Sequence, residues 1–287
     1  MAGLPFCKSS ARTHRGALML LDELLNKLWA DYSSLNPQAE IIHRALEKRG
    51  EKVINDHVAF RTFNIPEVGM DVLARPFLDL GWRPAKGAGY DFPEKKLFAR
   101  HWEHPDPLWP KIFISELKVV EFSKPLQKMV RGFVDEVPQK FMASADILTA
   151  GAPWKKITLK EYQALLKESE YAAWMAAFGF RVNHFTVFYN ALKTFNGLAD
   201  LNGFIKGIGF QLNGAGGEIK GSAKVFLEQS STMACPVEVA FADGFRKIPG
   251  CYYEFARRYP MADGKFFHGF LPDSADKIFE STRDKQL

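Results

Sequence analysis

Asn55-Asp56-His57-Val58-Ala59-Phe60-Arg61-Thr62-Phe63 is the stretch on which the fold turns. It reads as a strand. Side chains alternate across a strand, so Asn55, His57, Ala59, Arg61 and Phe63 share one face, with Asp56, Val58, Phe60 and Thr62 on the other. A sheet face that carries an imidazole and a guanidinium must be solvated, paired or built for chemistry. Four residues of extended chain span roughly 13 Å. An imidazole at one end of that span can hold a metal while the arginine meets the far end of a small acidic ligand.

Working outward, residues 16–49 show helical periodicity through Leu18, Leu21, Leu25, Leu28 and Trp29, then Ile41, Ile42, Ala45 and Leu46. Ser33-Ser34-Leu35-Asn36-Pro37 splits them into two helices. After the opening strand the pattern predicts a helix over 67–81, from Pro66 to Gly81, and strands over 96–103 and 111–120. Residues 123–180 read as mostly helical. The first pattern then recurs: Arg181-Val182-Asn183-His184-Phe185-Thr186-Val187-Phe188-Tyr189 is a strand with a histidine near its start. A helix at about 191–208 and strands at about 224–230 and 250–258 follow it.

The chain therefore divides into N-terminal helices over 1–52, a first module over 53–122 and a helical insertion over 123–180. A second module spans 181–272 and a C-terminal tail 273–287. The predicted class is α+β, with two βαβββ modules curling their sheets around a shared cavity as a half-barrel.

Bulk composition supports a sizeable core. The chain has 287 residues, of which 47% are hydrophobic and 14% aromatic. A net charge of +5 is spread along the chain and not gathered into runs, which argues against nucleic-acid binding. Cys7, Cys235 and Cys251 form no CxxC pair, so a reducing cytoplasm is the simple expectation. No apolar run approaches the ~20 residues of a membrane span. The start of the chain lacks a signal-peptide pattern.

Of seven histidines, only His57 and His184 hold equivalent places in the repeat. Modules paired about a pseudo-twofold axis would bring these two face to face. On the last strand, Tyr252, Glu254, Ala256 and Arg258 share a face, and a carboxylate set among aromatic residues there calls for a cation or an arginine. Two imidazoles and one carboxylate suit non-haem Fe(II), and zinc can also take the set. Each histidine standing alone also fits a hydrogen-bonded core residue. Arg61 has two readings, a salt bridge to Glu116 or Glu254 and a substrate clamp. A cation ~7 Å from a divalent metal is repelled by about 5 kcal/mol at an effective dielectric of about 20. An anionic, metal-chelating substrate between the two relieves this. Glu116 is expected at the place in module one that Glu254 holds in module two, as a fourth ligand, an Arg61 partner or plain structure.

Leu212 to Ser222 is glycine-rich but fits neither GxxxxGK[ST] nor GxGxxG, and reads as a hairpin or lid. Leu227-Glu228-Gln229-Ser230-Ser231-Thr232 ends a strand in groups that either orient a ligand or cap a turn.

Taken together, the His57–Phe63 strand, Val182-Asn183-His184-Phe185-Thr186, Glu228 to Thr232 and Tyr253-Glu254-Phe255 resemble the 2-oxoadipate dioxygenase/decarboxylases of the vicinal oxygen chelate superfamily. The resemblance covers roughly residues 17–270. It implies iron ligands at His57, His184 and Glu254 and a substrate-carboxylate arginine at Arg61, with Gln229 and Ser230 beside the substrate. The implied reaction converts 2-oxoadipate and O2 into 2-hydroxyglutarate and CO2, in lysine catabolism. A glyoxalase-type isomerase or hydrolase with Glu116 as ligand and base is the alternative on this fold, and a metal-free binding protein a third.

Overall fold

The computed structural model describes residues 9–87, 89–142 and 144–282. Two helices lead, α1 (Ser9–Leu35) and α2 (Pro37–Lys48). Leu21, Leu24, Leu28 and Tyr32 recur at helical spacing and are buried on one face of α1. Pro37 opens α2, where a missing N–H costs no intrahelical bond.

The first half continues with β1 (Asn55–Phe63), α3 (Met70–Asp79), β2 (Arg83–Pro84), β3 (Tyr90–Phe92), β4 (Leu97–Glu103) and β5 (Lys111–Leu117). The connecting segment carries α4 (Lys124–Asp135), α5 (Gln139–Met142), α6 (Leu159–Glu168) and α7 (Glu170–Phe178). It returns to the sheet through Gly179, whose φ is +68° and where a Cβ would lie 1.7 Å from the Gly151 carbonyl oxygen. Only glycine fits that approach. The second half holds β6 (Val182–Phe188), α8 (Leu198–Gly207), β7 (Lys220–Ser222) and β8 (Leu227–Ser231). A hairpin of β9 (Pro236–Phe241) and β10 (Gly244–Pro249), then β11 (Tyr252–Arg258) and α9 (Pro272–Phe279), complete it.

One curved, unclosed sheet runs in the order β2-β4-β5-β1-β6-β11-β8-β7, with β3 also paired to β4. The two halves meet at the antiparallel β1–β6 pair. On each side the next partner is parallel, β5 beside β1 and β11 beside β6, and the one beyond is antiparallel. So β1, β5, β4 and β3 match β6, β11, β8 and β7, the expected pair of βαβββ modules. A further mark of the repeat lies in the turns before β4 and β8. Lys96 and Phe226 hold φ of 54° and 63° at matching places, a left-handed conformation uncommon for residues with a side chain.

Helices cover the convex face. Val58 and Phe60 from β1, Phe185 from β6, and Tyr253 and Phe255 from β11 are buried there. Trp29 packs edge-on against Phe185 at 5.1 Å and tilted against Tyr253 at 5.9 Å. Each such side chain contributes about 1.5–3 kcal/mol on burial, so this face holds the sheet together. It leaves the concave face free to carry polar groups.

The structure departs from the sequence reading in several elements: β2 and β3 are strands it lacks, and the helix expected at about 191–208 begins only at Leu198. The β9–β10 hairpin, read as no strand, pairs only with itself and packs on α6, with Phe241 against Tyr162 at 5.4 Å. Residues 273–287, read as a tail, include most of α9, which lies over the concave face with Phe279 buried. Residues 283–287 fall outside the described part.

Candidate metal centre

Where β1 and β6 pair, the register slips twice. Asn55 faces Val187 and His57 faces Thr186, which leaves Asp56 without an opposite residue. Ala59 faces His184 and Phe60 faces Val182, which leaves Asn183 so. Each slip is a β-bulge, and the extra residue turns toward the face of its neighbour. Asp56 thus departs from strict alternation and joins His57 on the concave side. Its Oδ1 lies 2.8 Å from His57 Nδ1. In the same way Asn183 Oδ1 lies 3.0 Å from His184 Nδ1.

These contacts set the histidine tautomers. Asp56 is an acceptor, so His57 donates from Nδ1; with the Asn183 amide oriented as placed, His184 does the same. Both Nε2 atoms then present lone pairs, and both point at Glu254. His57 Nε2 is 3.7 Å from Oε1 and His184 Nε2 3.3 Å from Oε2. One donor atom from each of the three lies within 4.8 Å of the other two. Thr186 Oγ1 sits 3.0 Å from His57 Nε2 and Gln229 Nε2 donates to Glu254 Oε1 at 2.6 Å.

Burial makes this arrangement costly without a cation. His57, His184 and Glu254 are 2%, 5% and 1% exposed. Desolvation lowers the pKa of His57 against the pull of Asp56 and takes His184 well below the usual range, so both rings are neutral, the metal-binding form. Burial pushes Glu254 up to about 8, only partly offset by Gln229. Two imidazole lone pairs and a carboxyl converge on one point, and below about pH 8 the metal-free site keeps a proton on Glu254 that a cation would displace. A divalent cation fits that donor set.

Asp56 behaves oppositely. Burial alone would raise its pKa, but the Arg258 guanidinium outweighs it and holds the carboxyl well below the usual range. Arg258 binds Asp56 through Nε and one terminal nitrogen at 2.6 and 2.8 Å. Its other terminal nitrogen donates to the Phe267 and Gly269 carbonyls at 2.7 and 2.9 Å.

Arg61 follows on the same face of β1. It is 2% exposed, and among the described residues it has no ion pair. One nitrogen donates to Thr282 Oγ1 at 3.2 Å, while Nε and the other terminal nitrogen are buried without a partner. The guanidinium lies over Tyr171, Trp174 and Phe279 at 5.0, 4.9 and 5.6 Å from the ring centres. Arg61, the three candidate ligands and Gln229 line one small cavity, walled by Phe113, Phe270 and Phe279.

Two expected site residues turn elsewhere. Ser230 pairs with Phe255 on the convex parity of β8, and its hydroxyl donates to Asn202 of α8 at 2.8 Å. The residue of that run on the cavity side is Gln229. Glu116 is not the counterpart of Glu254. His57 pairs with Lys111 and His184 with Tyr252, so Phe113 matches Glu254. Glu116 pairs with Thr62 on the opposite face, bound to Asn64 Nδ2 and the Met70 amide. It can be neither a ligand nor an Arg61 partner. Conversely, Asp56, Asn183, Arg258 and Thr282 belong to the site, although the sequence pattern assigns them no role there. For the first two a signal existed, an acid or amide directly before each repeated histidine.

A family model described as 2-oxoadipate dioxygenase/decarboxylase matches residues 20–266. A curated 2-oxoadipate dioxygenase/decarboxylase of Arabidopsis thaliana is 35% identical over 92% of this chain and 78% of its own. The solved hydroxyglutarate synthase of Oryza sativa, in complex with 2-oxoadipate, is 32% identical with TM-score 0.83, over 100% of this chain and 99% of its own. A Shewanella frigidimarina structure with a provisional hydrolase description is 49% identical with TM-score 0.83, over 88% and 98%. A glyoxalase-superfamily protein of Ralstonia eutropha shares the fold, at 21% identity and TM-score 0.69 over 88% and 85%. The chain belongs to the 2-oxoadipate dioxygenase/decarboxylase family.

Proposed function

We propose that this chain oxidatively decarboxylates and hydroxylates a 2-oxo dicarboxylic acid, 2-oxoadipate by preference, giving 2-hydroxyglutarate and CO2 from one O2. The equation balances without a second reductant, since both oxygen atoms end in the two products. His57, His184 and Glu254 would hold Fe(II). Bound there, Fe(II) supplies Lewis acidity toward a chelating 2-oxo carboxylate and redox chemistry toward O2.

The observation that carries this reading is Arg61. A guanidinium so buried, with two nitrogens unspent, costs several kcal/mol unless an anion joins it. It shares a strand face with His57, so a ligand held at the triad by one end meets Arg61 with the other. A terminal carboxylate answers the planar fork of donors. Clamping it fixes which carbon of the substrate faces the oxidant. Gln229 orients the Glu254 carboxylate, and the bulge residues orient the two imidazoles. Phe113, Phe270 and Phe279 keep water from the reacting atoms.

The glyoxalase-type reading needed Glu116 as ligand and base, and Glu116 faces away from the cavity. Lysine catabolism is the role that this substrate suits. A cytoplasmic setting accords with the free thiols of Cys235 and Cys251; among the described residues no helix is long and apolar enough to cross a membrane. The deciding experiment is anaerobic purification, metal analysis, and O2 uptake on adding 2-oxoadipate. One iron per chain with uptake and CO2 release is expected. No uptake with any 2-oxo acid refutes the function.

A further inference from the structure

The two bulges are alike in geometry and unlike in chemistry. In each, the residue before a candidate ligand histidine turns back and accepts from its Nδ1, at 2.8 Å for Asp56 and 3.0 Å for Asn183. Behind His57 that acceptor is a carboxylate, itself gripped at both oxygens by Arg258. Arg258 also binds two carbonyls of the 267–269 segment and lies 5.3 Å from the Phe270 ring centre. Phe270 in turn meets the His57 ring edge-on at 4.8 Å. His57 is therefore held from behind and from the side by one charged network. Behind His184 the acceptor is a neutral amide, whose own Nδ2 is buried without a partner. Stacking on Tyr252 at 4.5 Å is the further restraint on that ring.

We propose that Asp56 and Asn183 are positioning residues of graded strength, making His57 the anchoring ligand of the metal and His184 the weaker one. A carboxylate accepting from an imidazole N–H raises the donor strength of the opposite nitrogen more than an amide does, and it locks the ring more firmly. One metal position is thereby fixed while the other ligand can yield as substrate binds. The inference rests on the metal-site reading above. It assigns unequal parts to two positions that the repeat makes equivalent.

The test measures metal binding and not turnover. Metal-free protein is titrated with Co2+, recording both the dissociation constant and the visible absorption of the bound ion, with thermal melting of the metal-free form as a folding control. Asp56→Asn keeps the shape and weakens the acceptor; it is expected to lose about ten- to a hundredfold in affinity, the usual reach of such partners, with a shifted Co2+ spectrum. Asn183→Leu buries no charge, and a smaller loss of about three- to tenfold is expected on the same reasoning. An Asp56→Asn loss below tenfold, or an Asn183→Leu loss equal to or above it, overturns the grading. Should Asp56→Asn fail to fold, Asn183→Leu decides alone: a loss outside the three- to tenfold range overturns it. If the parent protein itself binds no Co2+, the metal-site reading falls and this inference with it. Parent binding with unchanged variants removes this inference only.

Discussion

Gln229 Nε2 donates a 2.6 Å hydrogen bond to Glu254 Oε1 across the antiparallel β8–β11 pair. The two are diagonal neighbours on the concave face, since Gln229 itself pairs with Ala256. The bond leaves Oε2 to His184 and biases the carboxyl toward its ionised form, against the burial that pushes it up. Gln229→Leu removes the donor without adding charge. Metal affinity should fall about tenfold while the melting point of metal-free protein changes little. Calorimetric titration with Zn2+ measures the first, and unchanged affinity would remove Gln229 from the site.

Arg61 offers two unpartnered nitrogens to a carboxylate. Arg61→Ala should leave metal content at the parental level and lower kcat/KM for 2-oxoadipate by about 10²- to 10⁴-fold, two charge-assisted bonds at about 1.5–3 kcal/mol each. A 2-oxo monocarboxylate of similar length should lose far less. Steady-state O2 uptake with both acids separates the cases. Equal loss for both, or loss of the metal, contradicts the clamp.

Glu254 also dictates a pH dependence. Its folded pKa is raised from 4.5 to about 8, so between those values the metal-free native state holds a proton that the unfolded chain has released. That contribution to stability is full below the interval and is lost as pH rises through it. A bound divalent metal displaces the proton, so the loaded protein should lack this decline. Melting curves of metal-free protein across the neutral range should therefore fall with pH, and Glu254→Gln should flatten them. A decline of equal size in that variant assigns the effect elsewhere.

Ser230 illustrates what a single register step changes. Its hydroxyl serves Asn202, whose Nδ2 is already unpartnered. Ser230→Ala should cost about 1–3 kcal/mol of stability through the second orphaned group and leave KM for the substrate unchanged. Denaturant unfolding and steady-state kinetics test the two halves of that statement. A raised KM with unaltered stability would restore Ser230 to the cavity.

Much of this site was legible because strand alternation and repeat position are properties of sequence alone. His57 and His184 stand at matching places, and Glu254 follows from the parity of the last strand. Alternation failed where the chain broke it. Strand alternation puts Asp56 on the wrong face because a bulge depends on how β1 pairs with β6, which no local pattern encodes. Place in the module matches Glu116 to Glu254. The true correspondence is set by hydrogen-bond register, three residues away at Phe113. Ser230 fell to the same one-residue ambiguity that flips every side chain of a strand. The α9 cover was hidden because its few apolar residues, among them Ala275, Ile278 and Phe279, make too short a run to announce a helix.

We expect that cover to move. The cavity at the triad is about 20 Å³, room for little more than a water and far too small for a six-carbon dicarboxylate. Beyond it lies an outer chamber of about 180 Å³ lined by Lys95, Glu168 and Glu170, and Arg61 and Phe279 border both. Phe279 thus stands between the outer chamber and the triad, at the end of α9. The helix and the turn after it are held by half-exposed groups, Lys95 Nζ to Glu280 Oε1 at 2.6 Å and to Asp276 at 3.9 Å. Such pairs contribute about 0–1 kcal/mol each. Further holds come from Asn213 Nδ2, which donates to the Lys277 carbonyl and to Ser281 Oγ at 2.9 and 2.8 Å. Displacing α9 costs far less than parting β1 from β6, so substrate entry should open this segment and binding should close it. In protein loaded with redox-inert Zn2+, amide hydrogen exchange across residues 272–282 should slow several-fold when 2-oxoadipate is added, with β1 amides unaffected. Exchange that stays the same in α9 would place the entrance on another side of the cavity.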